Sequence, residues 1–512
     1  MRVVRSLAVL SLVVLTLSAA APALAADAPA GTLTIGVHVT LVNRWLDPGD
    51  AEGLITPFMV LYALHDALVK PMPGKINAPS LAESWSLSKD GLTYEFVLRK
   101  NAKFHNGDPV TPEDVKFSFD RYRGSGAKLL KDKVKDVQVV APNRVRFHLK
   151  EQWPDFMAFY GTSATGAGWI VPKKYVEKVG DEGFRKAPVG AGPFKFAAFN
   201  PGVELVLEAF PDYWRKAPHV KRIVMRSITD ESTRAAALKT GEVDLAYLFG
   251  GPIAAELRKT AGLRVVAPIL YGVYWLDFLD QWDPKSPWHD RRVRLAASLA
   301  MDRRALNEVE MLGLGRTTGS FVPPEFDFSL KIDPPGFDPG RAKQLLAEAG
   351  YPNGFDAGDL TPLPPYTSLG EAVANYLQTV GIKSHVKTLE RAAFLTSWRE
   401  KKLHGLLIGA TGAAGNAAAR LEPFVTKNGI YAYGTFPDLE DLYQRQAREL
   451  DRKQREVLLH QLQKAVADRV LTAPIFQQAF LCGVGPRVEE AGAGLIQGFP
   501  YSAPVEDLRV KP

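Results

Sequence analysis

The sequence predicts an α/β fold divided into two or three domains. A strand at residues 203–207, a helix at 229–240 and a strand at 243–247 follow one another, an order typical of α/β proteins. Helices and strands alternate again through residues 338–480. A chain of 512 residues is long enough for more than one core, and a single cysteine, Cys482, excludes an internal disulfide. Packed apolar cores must therefore stabilise the protein.

The N-terminus has the pattern of a secretory signal peptide. Arg2 and Arg5 precede an apolar run at residues 7–17, which is too short to span a bilayer, and small residues follow at 23–25. We expect residues 1–25 to be removed. No cysteine stands at the cleavage point to carry a lipid anchor, so the sequence predicts a free periplasmic protein.

The best-defined unit of the first half is residues 81–122. Apolar and polar side chains alternate over residues 92–98, which predicts a half-buried strand, and a second short strand is expected at 102–104. Thr111 is then a helix cap with Pro112 at the first helical position. This unit contains no catalytic arrangement.

The other elements follow from the same kinds of pattern. We predict, in chain order, a strand at 32–39, a helix at 57–69, strands at 145–149 and 203–207, helices capped by Asp290 and Asp302, a helix from Asp338 to Gly350, a helix at 368–380 begun by a capping box of Ser368 and Glu371, a strand at 382–389, a helix at 391–402, a strand at 403–408, two helices within 438–470 and a strand at 473–480.

Three long segments of the sequence resemble one family. They are residues 81–122, residues 190–247 (from GAGPF to GEVDLAY) and residues 289–303 (HDRRVRLAASLAMDR). All three are similar to the extracellular solute-binding proteins of family 5, the peptide-, opine- and nickel-type receptors of ABC importers. The resemblance implies a hinged, two-lobed periplasmic binding protein fold with an extra strand-rich subdomain in the first lobe. It also implies a receptor without catalytic residues or a cofactor.

The resemblance divides the chain into four parts. Residues 1–25 are the signal peptide, and residues 26–70, 188–275 and 481–512 form lobe I. The inserted subdomain is expected at 71–187 and lobe II at 276–480, with the crossing between lobes in residues 273–288. We expect a monomer that binds a small molecule or short peptide and docks on ABC permease and ATPase subunits.

Candidate ligand-binding residues come first from loops and aromatic runs. Trp45 belongs to a loop whose Leu-Asp-Pro element resembles the family's loop beside the ligand cleft. Tyr271, Tyr274 and Trp275 fall in a dense aromatic run, which either packs in the core or presents one or two rings to a ligand. Thr317 lies in a polar loop at residues 313–319.

The remaining candidates lie at a glycine-rich strand exit. Peptide-binding family members carry an acid here that anchors the peptide's amino terminus, and this chain has none in residues 409–420. A buried ammonium group without a carboxylate is unfavourable, so a neutral or anionic ligand group fits better. The alternative is a flexible glycine-rich loop. The candidate residues at this exit are Gly409, Thr411, Gly412, Asn416 and Arg420.

Other classes of function find less support in the sequence. A secreted hydrolase lacks both the Gly-x-Ser-x-Gly and the HExxH motif. Direct metal capture is disfavoured because the histidines are dispersed. The densest basic cluster, at residues 291–304, is scattered by helical spacing and does not predict nucleic-acid binding. Peptides, opines, oligosaccharides and metal chelates all remain open as ligands.

Overall fold

A computed structural model describes residues 28–50, 56–124, 126–161, 165–411 and 415–511. The predicted signal peptide lies outside the described residues. Two large β-sheets organise the described chain. The seven-stranded sheet has, in spatial order, the strands Phe194–Asn200, Glu204–Ala209, Val220–Ser227, Ala30–Val37, Leu245–Ala246, Cys482–Val484 and Arg264–Val266. Ala30–Val37 is parallel to both of its neighbours, whereas the other pairs are antiparallel.

Three α-helices belong to this first lobe. They are Phe58–Leu64, Glu231–Thr240 and Gly251–Lys259. The Asp230 side chain accepts from the Thr233 N–H at 2.7 Å, and Gly241 ends the helix at a φ of 76°. Both ends were predicted from the sequence and are confirmed.

The second lobe is built on a six-stranded sheet. Its strands, in spatial order, are Arg316–Thr317, Thr472–Ala479, Ile269–Phe278, Leu406–Thr411, Phe355–Pro362 and Ile382–Val386. Its helices are Arg291–Leu299, Arg303–Met311, Pro339–Glu348, Thr367–Thr379, Arg391–Arg399, Ala417–Val425, Pro437–Arg448 and Arg452–Asp468. Asp290 and Asp302 cap the first two of these helices, as predicted.

A separate four-stranded sheet forms the inserted subdomain. Its order is Ala82–Leu87, Thr93–Leu98, Arg144–Leu149 and Val134–Ala141, and its helices are Pro112–Arg121, Ala127–Lys133, Phe156–Tyr160 and Lys173–Lys186. Thr111 and Asp114 form a reciprocal capping box at the first helix. The described residues also form short strand pairs: Asp66–Ala67 with Trp169–Ile170, Val69–Met72 with Lys75–Pro79, and Val488–Glu490 with Arg509–Val510.

The chain crosses between the two large sheets at two adjacent places. The first crossing joins Arg264–Val266 to Ile269–Phe278, and the second joins Thr472–Ala479 to Cys482–Val484. The Phe480 N–H donates to the Pro268 carbonyl at 2.8 Å and holds the two crossings together. The sequence placed the first crossing at residues 273–288. Sheet pairing moves it to about Pro268, because the whole strand Ile269–Phe278 pairs within the second sheet.

Several predicted elements differ in the structure. Residues 102–104 contain only an isolated bridge between Lys103 and Pro109. The helix expected at 57–69 ends at Leu64, after which the chain turns into short strands. The capping box expected at Ser368 is wrong, because its hydroxyl donates to the Glu310 carboxylate at 2.6 Å instead.

Candidate functional site

A cavity of about 340 Å³ lies between the two lobes. The first lobe contributes the end of the strand Ala30–Val37 and the loop after it, and the second lobe contributes the start of the helix Arg391–Arg399 and the preceding Pro364 and Pro365. The carboxyl end of a strand and the first turn of a helix therefore meet at this cavity. Ligands of α/β proteins commonly bind beside the carboxyl ends of strands. Its lining includes His38, Val39, Thr40, Val42, Arg44, Trp45, Asp50, Thr56, Pro57, Thr229, Pro364, Pro365, Glu390, Arg391 and Leu395.

Arg391 is the half-buried cation of this cavity. It donates to the Pro364 carbonyl, the one hydrogen bond its guanidinium makes within the described chain. A guanidinium has five N–H donors, so most of its donor capacity is not used by the described residues. No carboxylate in the described ranges forms an ion pair with it.

Buried Arg234 shows what a structural arginine looks like in this fold. Its guanidinium donates to four backbone carbonyls at 2.6 to 3.2 Å, those of Tyr247, Ile228, Thr229 and Leu248. Burial lowers its pKa, and the carbonyl shell compensates for lost water. Arg391 has no comparable shell among the described residues, which marks it as a group with capacity for a ligand.

His38 projects from the end of the first strand into the same region. Only 6% of it is exposed, and its Nε2 lies 3.0 Å from the Tyr501 hydroxyl. Its Nδ1 is buried and has no partner among the described residues. Burial, followed by the charges of Arg234 and Arg391, holds the pKa of His38 well below its usual value. The imidazole is therefore neutral at physiological pH and offers a ligand one unused polar atom.

Tyr501 stacks on His38, and two further buried tyrosines, Tyr274 and Tyr366, pack against each other. Burial raises the pKa values of Tyr274 and Tyr501 well above the usual value and raises that of Tyr366 as well. The phenols stay protonated and can donate hydrogen bonds. The positive charge of Arg391 opposes the rise in pKa at Tyr366 and Tyr501 as a secondary cause.

The predicted aromatic residues occupy different positions. Trp45 lines the cavity. Tyr274 is buried and does not line the cavity, and its ring lies 4.7 Å from the ring of Tyr366. Tyr271 and Trp275 are buried in the core, and the Trp275 ring covers Gly409 so closely that a Cβ there would lie 2.5 Å from it.

The other predicted residues lie away from the cavity or outside the described part. Thr317 is exposed on the edge strand Arg316–Thr317. Asn416 caps the helix Ala417–Val425, and its amide donates to Asp155 of the inserted subdomain at 2.6 Å. Arg420 is 2% exposed and donates to the Tyr271 carbonyl at 2.8 Å. Thr411 ends a strand, with its side chain not described, and Gly412 lies outside the described residues.

Sequence reasoning missed most of the residues that the structure brings together. His38 was treated as one of several dispersed histidines, and Arg391, Tyr366 and Tyr501 were not selected. One usable signal was position, since His38 lies at the end of the strand predicted at 32–39 and Arg391 begins the helix predicted at 391–402. No pattern in the sequence indicates that residues 38, 391 and 501 converge.

Two arrangements are absent from the described residues. No group of three or more His, Cys, Asp or Glu side chains in the described ranges is arranged to hold a metal ion. Within the same part of the chain, every helix is too short or too polar to cross a membrane.

Known proteins resemble this chain in sequence and in fold. The family described as bacterial extracellular solute-binding proteins, family 5 Middle, matches residues 78–432. The chain belongs to this family. The glutathione-binding protein GsiB of Salmonella choleraesuis is 31% identical over 427 residues, covering 80% of each chain. Heme-binding protein A of Haemophilus influenzae is 28% identical over 478 residues, covering 86% of each.

Solved structures show the same fold. The periplasmic binding protein DppA from Helicobacter pylori in complex with the peptide STSA superposes with a TM-score of 0.80 at 24% identity, covering 94% of this chain and 98% of the other. MoaA from A. tumefaciens R10 in complex with mannopinic acid gives 0.80 at 24% identity, covering 94% and 99%. The predicted two-lobed binding-protein fold and family are confirmed. The protein is a substrate-binding protein of the ABC-transporter class, a class of receptors and not of enzymes.

Proposed function

We propose that this receptor captures a small acidic solute between its lobes, in the periplasm, and delivers it to the permease and ATPase subunits of an ABC importer. The observation that carries the proposal is Arg391, a cavity cation that the described chain leaves without a carboxylate. A carboxylate on the ligand would take bidentate hydrogen bonds from the guanidinium. The unused Nδ1 of neutral His38 would hold a second polar group.

The other charged residues of the cavity are already engaged. Asp50 pairs with Arg123 at 3.0 Å and with Arg185 at 2.8 Å. Glu390 accepts from the Ala393 N–H at 3.1 Å, at the first turn of its helix. Arg44 also has a partner. A negatively charged ligand group would therefore complement the cavity, because Arg391 lacks a carboxylate partner among the described residues. The absence of an acid at residues 409–420 agrees with this, since a ligand ammonium group would find no carboxylate there.

Cavity size and relatives support a compact acid. A volume of about 340 Å³ is at the lower end of the roughly 300–1,000 Å³ typical of ligand sites. That volume favours a solute of dipeptide size over a long peptide. One relative is named for glutathione and one solved neighbour holds mannopinic acid, and both of these ligands are acids.

The proposal is tested by calorimetry on the mature chain with glutathione, mannopinic acid and the dipeptide Met-Leu, each compared with its carboxamide. We expect at least one acid to bind and its amide to bind far more weakly. Arg391→Gln should lower the affinity for that acid about thirtyfold or more. This loss is at the lower end of the range for removing one partner of a desolvated charge pair. Arg399→Gln, two turns along the same helix, is the matched control and should bind like wild type.

Two outcomes would contradict the proposal. One is equal binding of the acid and its amide, and the other is full affinity in Arg391→Gln. Native mass spectrometry of the protein as purified would identify a retained solute directly. The same measurement tests two further parts of the proposal, a mature chain that begins at residue 26 or 27 and a monomeric state.

A further inference from the structure

A second cavity, of about 580 Å³, lies between the inserted subdomain and two helices of the second lobe, Ala417–Val425 and Pro437–Arg448. None of its lining residues belongs to the first cavity. Five aromatic residues from both sides contribute to its walls. They are Trp153 and Phe159 from the subdomain, and Phe424, Tyr431 and Tyr443 from the second lobe.

Glu422 lines this second cavity together with the aromatic residues. It is half-buried, and its carboxylate makes no hydrogen bond or ion pair with any described residue. Glu440, another acid of the lining, accepts from the Lys427 N–H at 2.7 Å and from the Gln444 amide at 2.8 Å. Neither acid has a cationic partner within the described ranges.

The cation nearest in sequence is directed elsewhere. Arg420 lies two residues before Glu422, but its guanidinium donates to the Tyr271 carbonyl at 2.8 Å and stands 5.3 Å from the Phe326 ring centre. On the subdomain side, Lys128 pairs with Asp132 at 2.7 Å, and Lys133 pairs with Glu151. Among the described residues, Glu422 therefore shares a cavity with several aromatic rings and is paired with no cation.

We propose that this second cavity binds an organic cation of the substituted-ammonium type, with Glu422 as counter-charge and the aromatic walls as its surround. Aromatic faces attract cations, and the attraction grows when both are removed from water. An acid together with several rings is the recurrent protein site for quaternary ammonium groups. The inference does not rest on the acid proposed for the first cavity.

The charge state of Glu422 gives the site a pH dependence. Burial, and secondarily the charge of Glu440, raises the pKa of Glu422 to about 7. Tyr443, which also faces it, has a pKa raised by burial well above its usual value and stays neutral. Asp155 and Arg455, beyond Tyr443, are paired with each other. Glu422 thus changes from mostly neutral at pH 6 to mostly charged at pH 8.

The test uses choline as the probe, titrated calorimetrically into the mature chain. We expect binding at pH 8 and about tenfold weaker binding at pH 6, the ratio of charged Glu422 at the two values. The neutral isostere 3,3-dimethylbutan-1-ol should bind at least tenfold more weakly than choline at pH 8, a comparison that needs no variant.

Variants then locate the choline site. Glu422→Gln should weaken choline about tenfold at pH 8 and remove the pH dependence. Glu456→Gln, an exposed acid on the helix Arg452–Asp468, is the control and should bind as wild type does. Arg391→Gln should leave choline binding unchanged, because Arg391 lies in the other cavity. The inference is overturned if choline does not bind, if its neutral isostere binds equally, or if Arg391→Gln abolishes binding while Glu422→Gln does not.

Discussion

At the scale of single residues, the buried arginines differ in how their donors are used. Arg303 donates to the Pro474 carbonyl at 2.7 Å and to the Ser298 carbonyl at 2.9 Å, and Arg294 donates to the Val470 and Trp288 carbonyls at 2.9 and 2.6 Å. Burial lowers the pKa of both to about 10. These arginines stabilise loops. Arg391, in contrast, keeps donor capacity at an interlobe cavity, and that contrast identifies it.

His65 should make the free energy of unfolding depend on pH. Burial lowers its pKa from 6.5 to about 4, and the contact of its Nε2 with the Leu46 carbonyl at 2.9 Å opposes this shift only in part. Between pH 6.5 and about pH 4, His65 is protonated in the unfolded chain and neutral in the folded chain. The free energy of unfolding therefore decreases as the pH falls through this range.

Comparison with His65→Gln isolates this contribution. The difference in unfolding free energy between wild type and variant should fall by roughly 2–3 kcal/mol between pH 7.5 and pH 4.5. This magnitude corresponds to about two pH units below pH 6.5, at about 1.4 kcal/mol for each unit. Urea denaturation followed by tryptophan fluorescence measures it. His385→Gln, which alters an exposed histidine, is the control. A gap that does not change with pH would contradict the assignment.

At the scale of elements, the segment GAGPF shows how close backbone approach selects glycine. A Cβ on Gly190 would lie 1.9 Å from the Leu64 carbonyl oxygen, and one on Gly192 would lie 2.5 Å from that of Ala63. The His105 side chain bridges the same segment, with its Nε2 2.9 Å from the Gly192 carbonyl oxygen. The inserted subdomain is attached to the first lobe by this contact, and a side chain would force the two apart.

Gly190→Ala should therefore destabilise the protein by about 3 kcal/mol or more, at the upper end of overpacking costs. Gly336→Ala is a matched control, because a Cβ there meets nothing within 4 Å. The control should change stability by less than about 0.5 kcal/mol. Thermal and urea unfolding measure both, and a Gly190→Ala variant as stable as the control would show that the segment can relax.

At the scale of the whole molecule, a buried ion pair joins the inserted subdomain to the second lobe. Asp155 pairs with Arg455, with 2% and 6% of their side chains exposed, and Asp155 also accepts from the Asn416 amide at 2.6 Å. Buried charges are stable when paired and costly when separated without water. These contacts join the inserted subdomain to the second lobe, and a motion that separates the two must break them.

Asp155→Ala should shift the protein towards open conformations. The affinity of the first cavity for its ligand should fall by at least about tenfold, equivalent to about 1.4 kcal/mol. Small-angle scattering should show that ligand reduces the radius of gyration of wild type but reduces that of the variant less. Asp120→Ala is the control, because Asp120 is half exposed and, within the described residues, its side chain pairs with Lys116 of its own helix. Identical scattering by both variants would show that the pair does not govern closure.

The sequence by itself determined the α/β class, the family and most helix ends, because caps, glycine stops and apolar periodicity are local. Thr111, Asp230, Asp290 and Asp302 could be placed without coordinates for this reason. Only the tertiary structure decided the cavity around His38 and Arg391, and the interlobe role of Asn416. These residues lie hundreds of positions from their partners in the chain, and no local pattern carries the information that folding brings them together.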